Sequence, residues 1–217
     1  MYHFSNQDCL CRYGDGRKIV AGETLTVDCE PILCERGLHA SPRIIDALDY
    51  APDFMLWEVE LGGTVIHDKD KSVATKRTAL WGFYAKDVIL AWTRRVALDA
   101  LTKYWDTTKL GPIDPVILDF LRTGNNARAA SAAANAFYAA AGAAADAAAA
   151  GAAYAAVGAA AGAAVYAAAA YARAAGAAAY ARAAGAAAYA AAKDEYEKWL
   201  VEMIAEARGI YGTYGER

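Results

Sequence analysis

Apolar and polar positions alternate over short stretches in residues 1–81, and turn residues separate these stretches. In residues 54–61, the apolar side chains of Trp57, Val59 and Leu61 alternate with Glu58 and Glu60. This two-residue period is typical of a strand. The pattern predicts a small mixed α/β head in residues 1–81. Its predicted strands are "MYHF" (1–4), "TLTVDCEPILC" (24–34, one or two strands broken near Pro31), "FMLWEVEL" (54–61) and "TVIH" (64–67).

Turn residues and a capped helix complete the predicted head. We expect Gly62-Gly63 to turn the chain between the last two strands, and residues 68–77, "DKDKSVATKR", to form a polar loop. Ser41 is a favourable N-cap residue, Pro42 suits the first helical position, and Pro52 ends the run. The sequence therefore predicts one short helix between these two prolines.

Helical spacing replaces the alternation after the head. Residues 86–105 have apolar side chains at helical intervals, and we assign residues 82–126 to a helical connector. A second connector helix is marked by Asp114 as its cap, Pro115 at its first position and Gly124 at its end. Near the C-terminus, residues 193–209 predict an amphipathic helix with the apolar stripe Tyr196, Trp199, Leu200, Met203, Ile204 and Ala207.

Alanine dominates the third part of the chain, residues 127–217, where 45 of the 66 residues from 127 to 192 are alanine. Alanine has the highest helix propensity, so this tract predicts helix despite its glycines. Gly158 and Gly162 form a small-x3-small pair that lets helices approach closely. A nonapeptide repeat places its tyrosines on alternating helix faces, where they would act as spacers: Tyr171, Tyr180 and Tyr189.

The predicted fold class is therefore α+β, with a mixed head followed by an all-α, alanine-rich, close-packed helical bundle or stalk. The tract has three other interpretations. A membrane span would suit the uncharged residues 147–172, but they contain no leucine, isoleucine or phenylalanine. Alanine-rich helices resemble type I antifreeze proteins, yet the tract has no threonine. Disorder conflicts with its helix propensity and aromatic residues.

Charge and cysteine content narrow the class of protein. A formal net charge of −3 gives no basic surplus for binding nucleic acid. The N-terminal residues lack the pattern of a signal peptide, so we expect a cytoplasmic protein. All four cysteines lie in residues 9–34, and we interpret them as free thiols rather than a zinc site, because Cys-x-Cys is not the usual zinc spacing. We therefore expect neither a metal nor a cofactor, nor a membrane or nucleic acid as partner.

Two features of the head could contact a ligand. His39 lies at the end of a predicted strand before the capped helix, although a structural histidine with its hydrogen bonds satisfied is the alternative. Lys69, Lys71, Lys76 and Arg77 could together hold a phosphate, although such a run is also typical of a solvated loop. No phosphate-binding loop, nucleophile elbow or dinucleotide fingerprint is present.

Residues 32–81 resemble a domain of unknown function found in phages and prophages. The resemblance rests on a Cys-x2-Gly-Leu-His-Ala-Ser motif at residues 34–41, on the Tyr-Ala-Pro that ends the helix at residues 50–52, and on Asp-Lys-x-Val-Ala-Thr at residues 70–75. Several relatives also continue into alanine-rich tails. The resemblance implies a phage or prophage origin, and with it the host cytoplasm as location, but implies no activity.

A weaker resemblance is to ADP-ribosyltransferases, on "YHFS" (2–5) and "GLHASPRIIDALDYA" (37–51). It implies that His3 contacts a nicotinamide ribose, with Ser41 and Tyr50 near the pocket. The family also has a catalytic glutamate on a later strand. Glu58 and Glu60 are the nearby strand carboxylates here, and they come too early in the chain for that role.

The sequence thus favours a non-enzymatic interaction or ligand-binding protein, and the phage resemblance adds the expectation that it counters host defence. It would be a homo-oligomer whose partner is a host protein or a nucleotide-like small molecule. A transferase-like enzyme or degenerate nucleotide-binding fold is one alternative, and a structural assembly subunit is another. The candidate ligand-binding residues are His3, Ser5, His39, Ser41, Tyr50, Lys71, Lys76 and Arg77.

Overall fold

A computed structural model describes residues 1–11, 15–104, 112–126 and 186–211. The chain separates into two compact units, one formed by residues 1–88 with the C-terminal segment from Glu197, the other by residues 89–196. The first unit contains an antiparallel sheet, which agrees with the mixed head expected from the sequence. Its elements are strands β1 (Tyr2–Ser5), β2 (Thr24–Thr26), β3 (Leu38–Ala40), β4 (Met55–His67) and β5 (Ser72–Tyr84), and helix α1 (Ile44–Leu48).

A long hairpin of β4 and β5 is the centre of the sheet. The strand order is β1-β4-β5-β2, with β3 also paired to β5, and every pairing is antiparallel. The predicted turn at Gly62-Gly63 is wrong, because β4 runs through it with a register shift between Gly62 and Val65. Gly63 has φ +72°, and a Cβ there would lie 2.1 Å from the Thr75 hydroxyl oxygen, so the bulge requires glycine.

The polar loop predicted for residues 68–77 is also wrong beyond its first four residues. The chain reverses at residues 68–71, where the Asp68 amide donates to the Lys71 carbonyl at 2.8 Å, and β5 begins at Ser72. Lys76 and Arg77 therefore lie in a strand and point to opposite sides of it, Lys76 exposed and Arg77 buried. The charge pattern predicts a loop. In the structure, Arg77 pairs with Leu25 of β2 on one side and Leu61 of β4 on the other, and this position within the sheet keeps it buried.

A backbone bridge closes the sheet on itself. Tyr2 and Ser41 exchange two backbone hydrogen bonds of 2.8 Å, which join β1 to the residue after β3. β1 pairs with the start of β4 and β3 with the start of β5, so the bridge links opposite ends of the hairpin. The hairpin must curl for these ends to meet, and the two register shifts in the pairing of β4 with β5 supply the bend.

Trp57 lies at the centre of the core inside this curl. It is fully buried and packs in a cluster with Met55, Val59, Cys9, Ile19, Ala40 and Ala79. Its indole Nε1–H donates to the Ser5 hydroxyl at 3.0 Å, so Ser5 satisfies a buried polar group. Gly82 makes room for the indole ring, because a Cβ at this position would lie 2.4 Å from it.

Helix α1 is shorter than predicted and is capped differently. It begins at Ile44. Its N-cap residue is Arg43, whose side chain makes no capping hydrogen bond. Ser41 belongs to the bridge with Tyr2, so the predicted cap at Ser41 is wrong. The carboxylate of Glu197 instead accepts from the amides of Ile44 at 3.0 Å and Ile45 at 2.8 Å, as a capping side chain supplied from the C-terminal helix.

The later helices follow the sequence prediction where they are described. They are α2 (Lys86–Tyr104), α3 (Pro115–Thr123) and α4 (Ala186–Tyr211). The predicted cap of α3 is confirmed, since the Asp114 carboxylate accepts from the Val116 amide and Gly124 ends the helix with φ 80°. The predicted stripe of α4 is buried at Tyr196, Leu200, Ile204 and Ala207.

Tryptophan residues contact parts of α4 inside each unit taken by itself. In the second unit, Trp92 Nε1 donates to the Tyr196 carbonyl and the Tyr196 hydroxyl donates to Asp99, both at 2.9 Å. In the first, the Arg208 guanidinium lies 4.5 Å from the centroid of the Trp81 ring. None of the described helices is long and apolar enough to cross a membrane.

The alanine-rich prediction falls mainly outside the described residues. Gly158, Gly162, Tyr171 and Tyr180 lie in residues 127–185, and the backbone of Tyr189 lies in α4. The close-packed bundle therefore remains a prediction.

Candidate functional site

A cavity of about 210 Å³ lies in the first unit, bordered by β1, β3, the start of α1 and the inner face of β5. It exists because the curled hairpin brings β3 and β1 together above Arg77. Six of the eight candidate residues line it, although they come from five separate segments of the sequence. They are His3, His39, Ser41, Tyr50, Lys71 and Arg77.

The other two candidates lie elsewhere. Ser5 faces the core, where it accepts from Trp57 and donates to the Asn6 carbonyl at 2.9 Å. Lys76 is exposed on the outer side of β5. Neither lines the cavity.

Arg77 is the most deeply placed charge in the cavity, with 3 % of its surface exposed. Its Nη1 donates to the His39 carbonyl at 2.9 Å and its Nη2 donates to Cys11 Sγ at 3.6 Å. No described carboxylate forms an ion pair with it. Burial lowers the pKa of Arg77, but a guanidinium stays protonated in proteins. The charge of Asp15 acts on Arg77 and raises its pKa, but this carboxylate is hydrogen-bonded to Arg17. The cavity therefore contains a buried guanidinium that no described carboxylate contacts directly.

Ser41 adds a second buried polar group. It is 3 % exposed, and its backbone is used in the bridge to Tyr2. Ser41 lines the cavity, and no described residue hydrogen-bonds to its hydroxyl. An unsatisfied buried hydroxyl costs about 1–3 kcal/mol, so a polar occupant of the cavity would stabilise the head.

His39 supports the wall of the cavity. Its Nε2 accepts from the Cys34 amide at 3.1 Å, which places the proton of the neutral ring on Nδ1. Burial lowers the pKa of His39; the hydrogen bond to the Gly37 backbone raises it, and the charges of Arg77 and Lys71 lower it further. A neutral ring whose lone pair is already engaged is not a free general base. It holds Cys34 in its left-handed conformation, φ 63°.

Tyr50, Asp70 and Lys71 form the rim. The Tyr50 hydroxyl donates to Asp70 Oδ2 at 2.7 Å, and Lys71 Nζ lies 3.4 Å from that hydroxyl and 4.9 Å from the ring centroid. Burial raises the pKa of Tyr50, and the hydrogen bond to Asp70 raises it further. Hydrogen bonds to Cys34 and Tyr50 raise the pKa of Lys71. The rim thus has a stable ammonium over an aromatic ring that is 45 % exposed.

Cys11 and Asp15 are cavity residues that the sequence reasoning missed. Burial raises the pKa of the Cys11 thiol despite the nearby Arg77 charge, so it is a neutral acceptor. Asp15 accepts from Arg17 at 2.6 and 2.7 Å, and these hydrogen bonds lower the pKa of its carboxyl. The Asp-Gly pair at residues 15–16 is typical of a turn and carries no signal of a binding role.

The carboxylates considered for catalysis lie outside the cavity. Glu58 accepts a hydrogen bond from Trp81 Nε1, and Glu60 is exposed on β4. Among the described residues, no group of three histidine, cysteine or acidic side chains is placed to hold a metal ion. None of the four cysteines is in a disulfide.

Comparison with known proteins gives a family match for the head, and that match carries no activity. Residues 1–91 match the family described as "Domain of unknown function (DUF7666)". This match includes every strand of the sheet and every residue that lines the cavity. No curated protein and no solved structure matches the chain.

Proposed function

We propose that the head is a binding module whose cavity holds a small polar molecule, and that the protein is not an enzyme. The observation that carries this proposal is Arg77, a buried guanidinium that faces a cavity with most of its N–H groups unused. Folding a charge into the interior without a partner is strongly unfavourable. A ligand that pairs with it would offset that cost.

The size of the cavity limits what it can enclose. Pockets that bury drug-sized ligands have volumes of about 300–1,000 Å³. At about 210 Å³, this cavity suits a small molecule or one end of a larger one. A nucleotide-like ligand would therefore place its polar end inside and the rest at the mouth beside Tyr50.

An ADP-ribosyltransferase-like activity is the second candidate, because His3, Ser41 and Tyr50 line the same cavity. The catalytic glutamate on a later strand, which that family has, is missing from the described residues. Glu58 accepts a hydrogen bond from Trp81, and no described strand follows β5. Isotope-labelled NAD separates the two functions. Transfer or hydrolysis of the label by the full chain would establish the enzyme, and neither is expected.

The origin of the protein, its location and its oligomeric state belong to the same proposal. The resemblance in residues 32–81 supports a phage or prophage protein acting in the host cytoplasm, where it would counter host defence. The composition of residues 127–192 supports helices that join copies of the chain into an oligomer. If the protein is instead a structural subunit, a large defined oligomer without any bound small molecule is the expected state.

Native mass spectrometry of the full chain, purified from a bacterial cytoplasm, tests the proposal. We expect a small-molecule adduct on the wild type that is lost from Ala47→Met, because Ala47 lines the cavity and the longer side chain fills it. Ala205→Met, at an exposed position of α4, is the matched control and should keep the adduct. Circular dichroism confirms that both variants fold.

Two results would overturn the proposal. One is a wild-type protein that carries no adduct and acquires none from a mixture of host metabolites. The other is an adduct that the folded Ala47→Met variant retains at wild-type occupancy, since the ligand would then lie outside the cavity.

A further inference from the structure

The unused donors in the cavity indicate the chemistry of its ligand. A guanidinium has five N–H groups, and the described contacts of Arg77 use two of them. Three N–H groups of Arg77 and the Ser41 hydroxyl therefore have no hydrogen-bond partner among the described residues, and both residues line the cavity. A ligand group with several acceptor atoms would suit these donors. Each buried donor that has no acceptor costs free energy, because it has lost its hydrogen bonds to water.

The charges around the cavity favour an anion. Arg77 and Lys71 are its positively charged lining residues, and Asp15 and Glu35 are the negatively charged ones. Asp15 accepts two hydrogen bonds from Arg17, although its charge also acts on Arg77, and Glu35 is exposed. The cavity therefore keeps a guanidinium that forms no direct ion pair with a described carboxylate, while Lys71 provides a second cation at the mouth.

Number and arrangement of donors separate a phosphoryl group from a carboxylate. A carboxylate presents two oxygens in one plane, whereas a phosphoryl group presents three oxygens around a tetrahedral centre. Guanidinium groups bind either anion through paired N–H groups, but a hydroxyl and an ammonium from other directions suit the tetrahedral one. The neutral rings and thiol around Arg77 add no competing negative charge.

Resting on the proposed function, we infer that the ligand is a phosphate or phosphomonoester whose terminal oxygens are bound by the Arg77 guanidinium and the Ser41 hydroxyl, with Lys71 at the mouth. A free sugar phosphate and a nucleotide share this chemistry. In both, the ester substituent would leave the cavity on the side of Tyr50.

Isothermal titration of the full chain with inorganic phosphate, ribose 5-phosphate and AMP tests the inference, with ribose, adenosine and malate as matched compounds that lack the phosphoryl group. We expect the phosphorylated compounds to bind at least about 30-fold more tightly than their counterparts. Tighter binding of AMP than of ribose 5-phosphate would support a nucleotide as the source, and equal binding would support a sugar phosphate.

Three variants locate the site. Arg77→Met should weaken ribose 5-phosphate binding about 30-fold or more, and Ser41→Ala about tenfold. Lys76→Met is the matched control, since Lys76 is the neighbouring cation on the outer side of β5, and it should bind as the wild type does. If Arg77→Met fails to fold, Ser41→Ala decides the test, because it removes one hydroxyl that the described residues do not use.

Equal binding of ribose, adenosine or malate would overturn the phosphoryl assignment, as would unchanged binding in folded Arg77→Met and Ser41→Ala. The failure of this inference is distinct from that of the proposed function. A bound adduct that contains no phosphorus and resists displacement by phosphate would refute the ligand class alone. The absence of any adduct or binding would refute the binding function as well.

Discussion

The contact between Glu197 and helix α1 predicts a large effect from a small chemical change. The Glu197 carboxylate accepts from two backbone amides, at 3.0 Å and 2.8 Å, across 153 and 152 residues of sequence. Glu197→Gln keeps the size of the side chain but leaves one oxygen to accept a hydrogen bond. The amide NH2 then faces the other backbone N–H, which loses its acceptor.

The magnitude follows from these two contacts. Removing a helix cap costs about 0.5–2 kcal/mol, and the loss of a hydrogen bond to a charged group costs about 1.5–3 kcal/mol. We therefore expect Glu197→Gln to lower the free energy of unfolding by about 2 kcal/mol. For a chain of this length the melting temperature should fall by about 4–8 °C.

Urea titration followed by tryptophan fluorescence, together with thermal melting, measures this change. The control is Glu202→Gln, an exposed glutamate on the same helix, for which we expect less than about 0.5 kcal/mol. A second measurement is the pKa of Tyr2, which burial raises and which the charges of Glu58 and Glu197 raise further. NMR titration of labelled tyrosine should show this pKa lower in Glu197→Gln. Equal stability of Glu197→Gln and Glu202→Gln would refute the capping role of Glu197.

Three further substitutions probe the head. Burial holds the pKa of His39 below its unfolded value of about 6.5, so the stability that the neutral ring contributes is lost as the pH falls through the folded pKa. We therefore expect His39→Gln to flatten the dependence of the unfolding free energy on pH below about 6.5. Gly63→Ala should cost about 2–3 kcal/mol in urea titration, from the positive φ and the contact with Thr75. Ser5→Ala should cost about 1–3 kcal/mol by the same measurement, because Trp57 loses its buried acceptor.

Each of these variants has a control within the chain. The exposed His67 is the control for pH dependence, and an equal effect of His67→Gln would contradict the assignment to His39. Gly62→Ala places its Cβ at an ordinary 3.8 Å from the nearest atom, so a cost equal to that of Gly63→Ala would argue against the bulge. Thr24→Ala, at an exposed strand position, should change stability less than Ser5→Ala does.

Local patterns were sufficient to predict several elements of the fold. Alternating side chains predicted the first half of β4, and the cap, proline and glycine around residues 114–124 predicted α3. The stripe of residues 196–207 predicted the buried face of α4. These signals are local, because each depends on residues within a few positions of one another along the chain.

Long-range contacts account for the errors. The cap of α1 comes from Glu197, which no local rule connects to Ile44, and Ser41 is instead paired with Tyr2. Gly62-Gly63 has the composition of a turn, yet the pairing of β4 with β5 continues past it as a bulge. Turn composition and bulge composition are the same, so the sequence alone could not separate them.

The candidate site was predicted in part. His3, His39 and Tyr50 were chosen from motifs, and the curl of the hairpin brings them to one cavity. Arg77 was considered only as part of a charged loop, and its burial depends on strand pairing that the charge pattern conceals. Cys11 and Asp15 had no signal of a binding role, because only the folded chain brings them near Arg77.

The most direct test of the account is an NMR titration of the Arg77 Nε–H resonance in the full, 15N-labelled chain, assigned with Arg77→Met. With ribose 5-phosphate we expect this resonance to shift and to saturate at the dissociation constant found by calorimetry. The Arg208 resonance serves as the internal control and should stay in place, because this guanidinium lies 4.5 Å from the centroid of the Trp81 ring and does not line the cavity. Saturable binding of the phosphate with no change at Arg77 would contradict the central claim that this buried guanidinium binds the ligand.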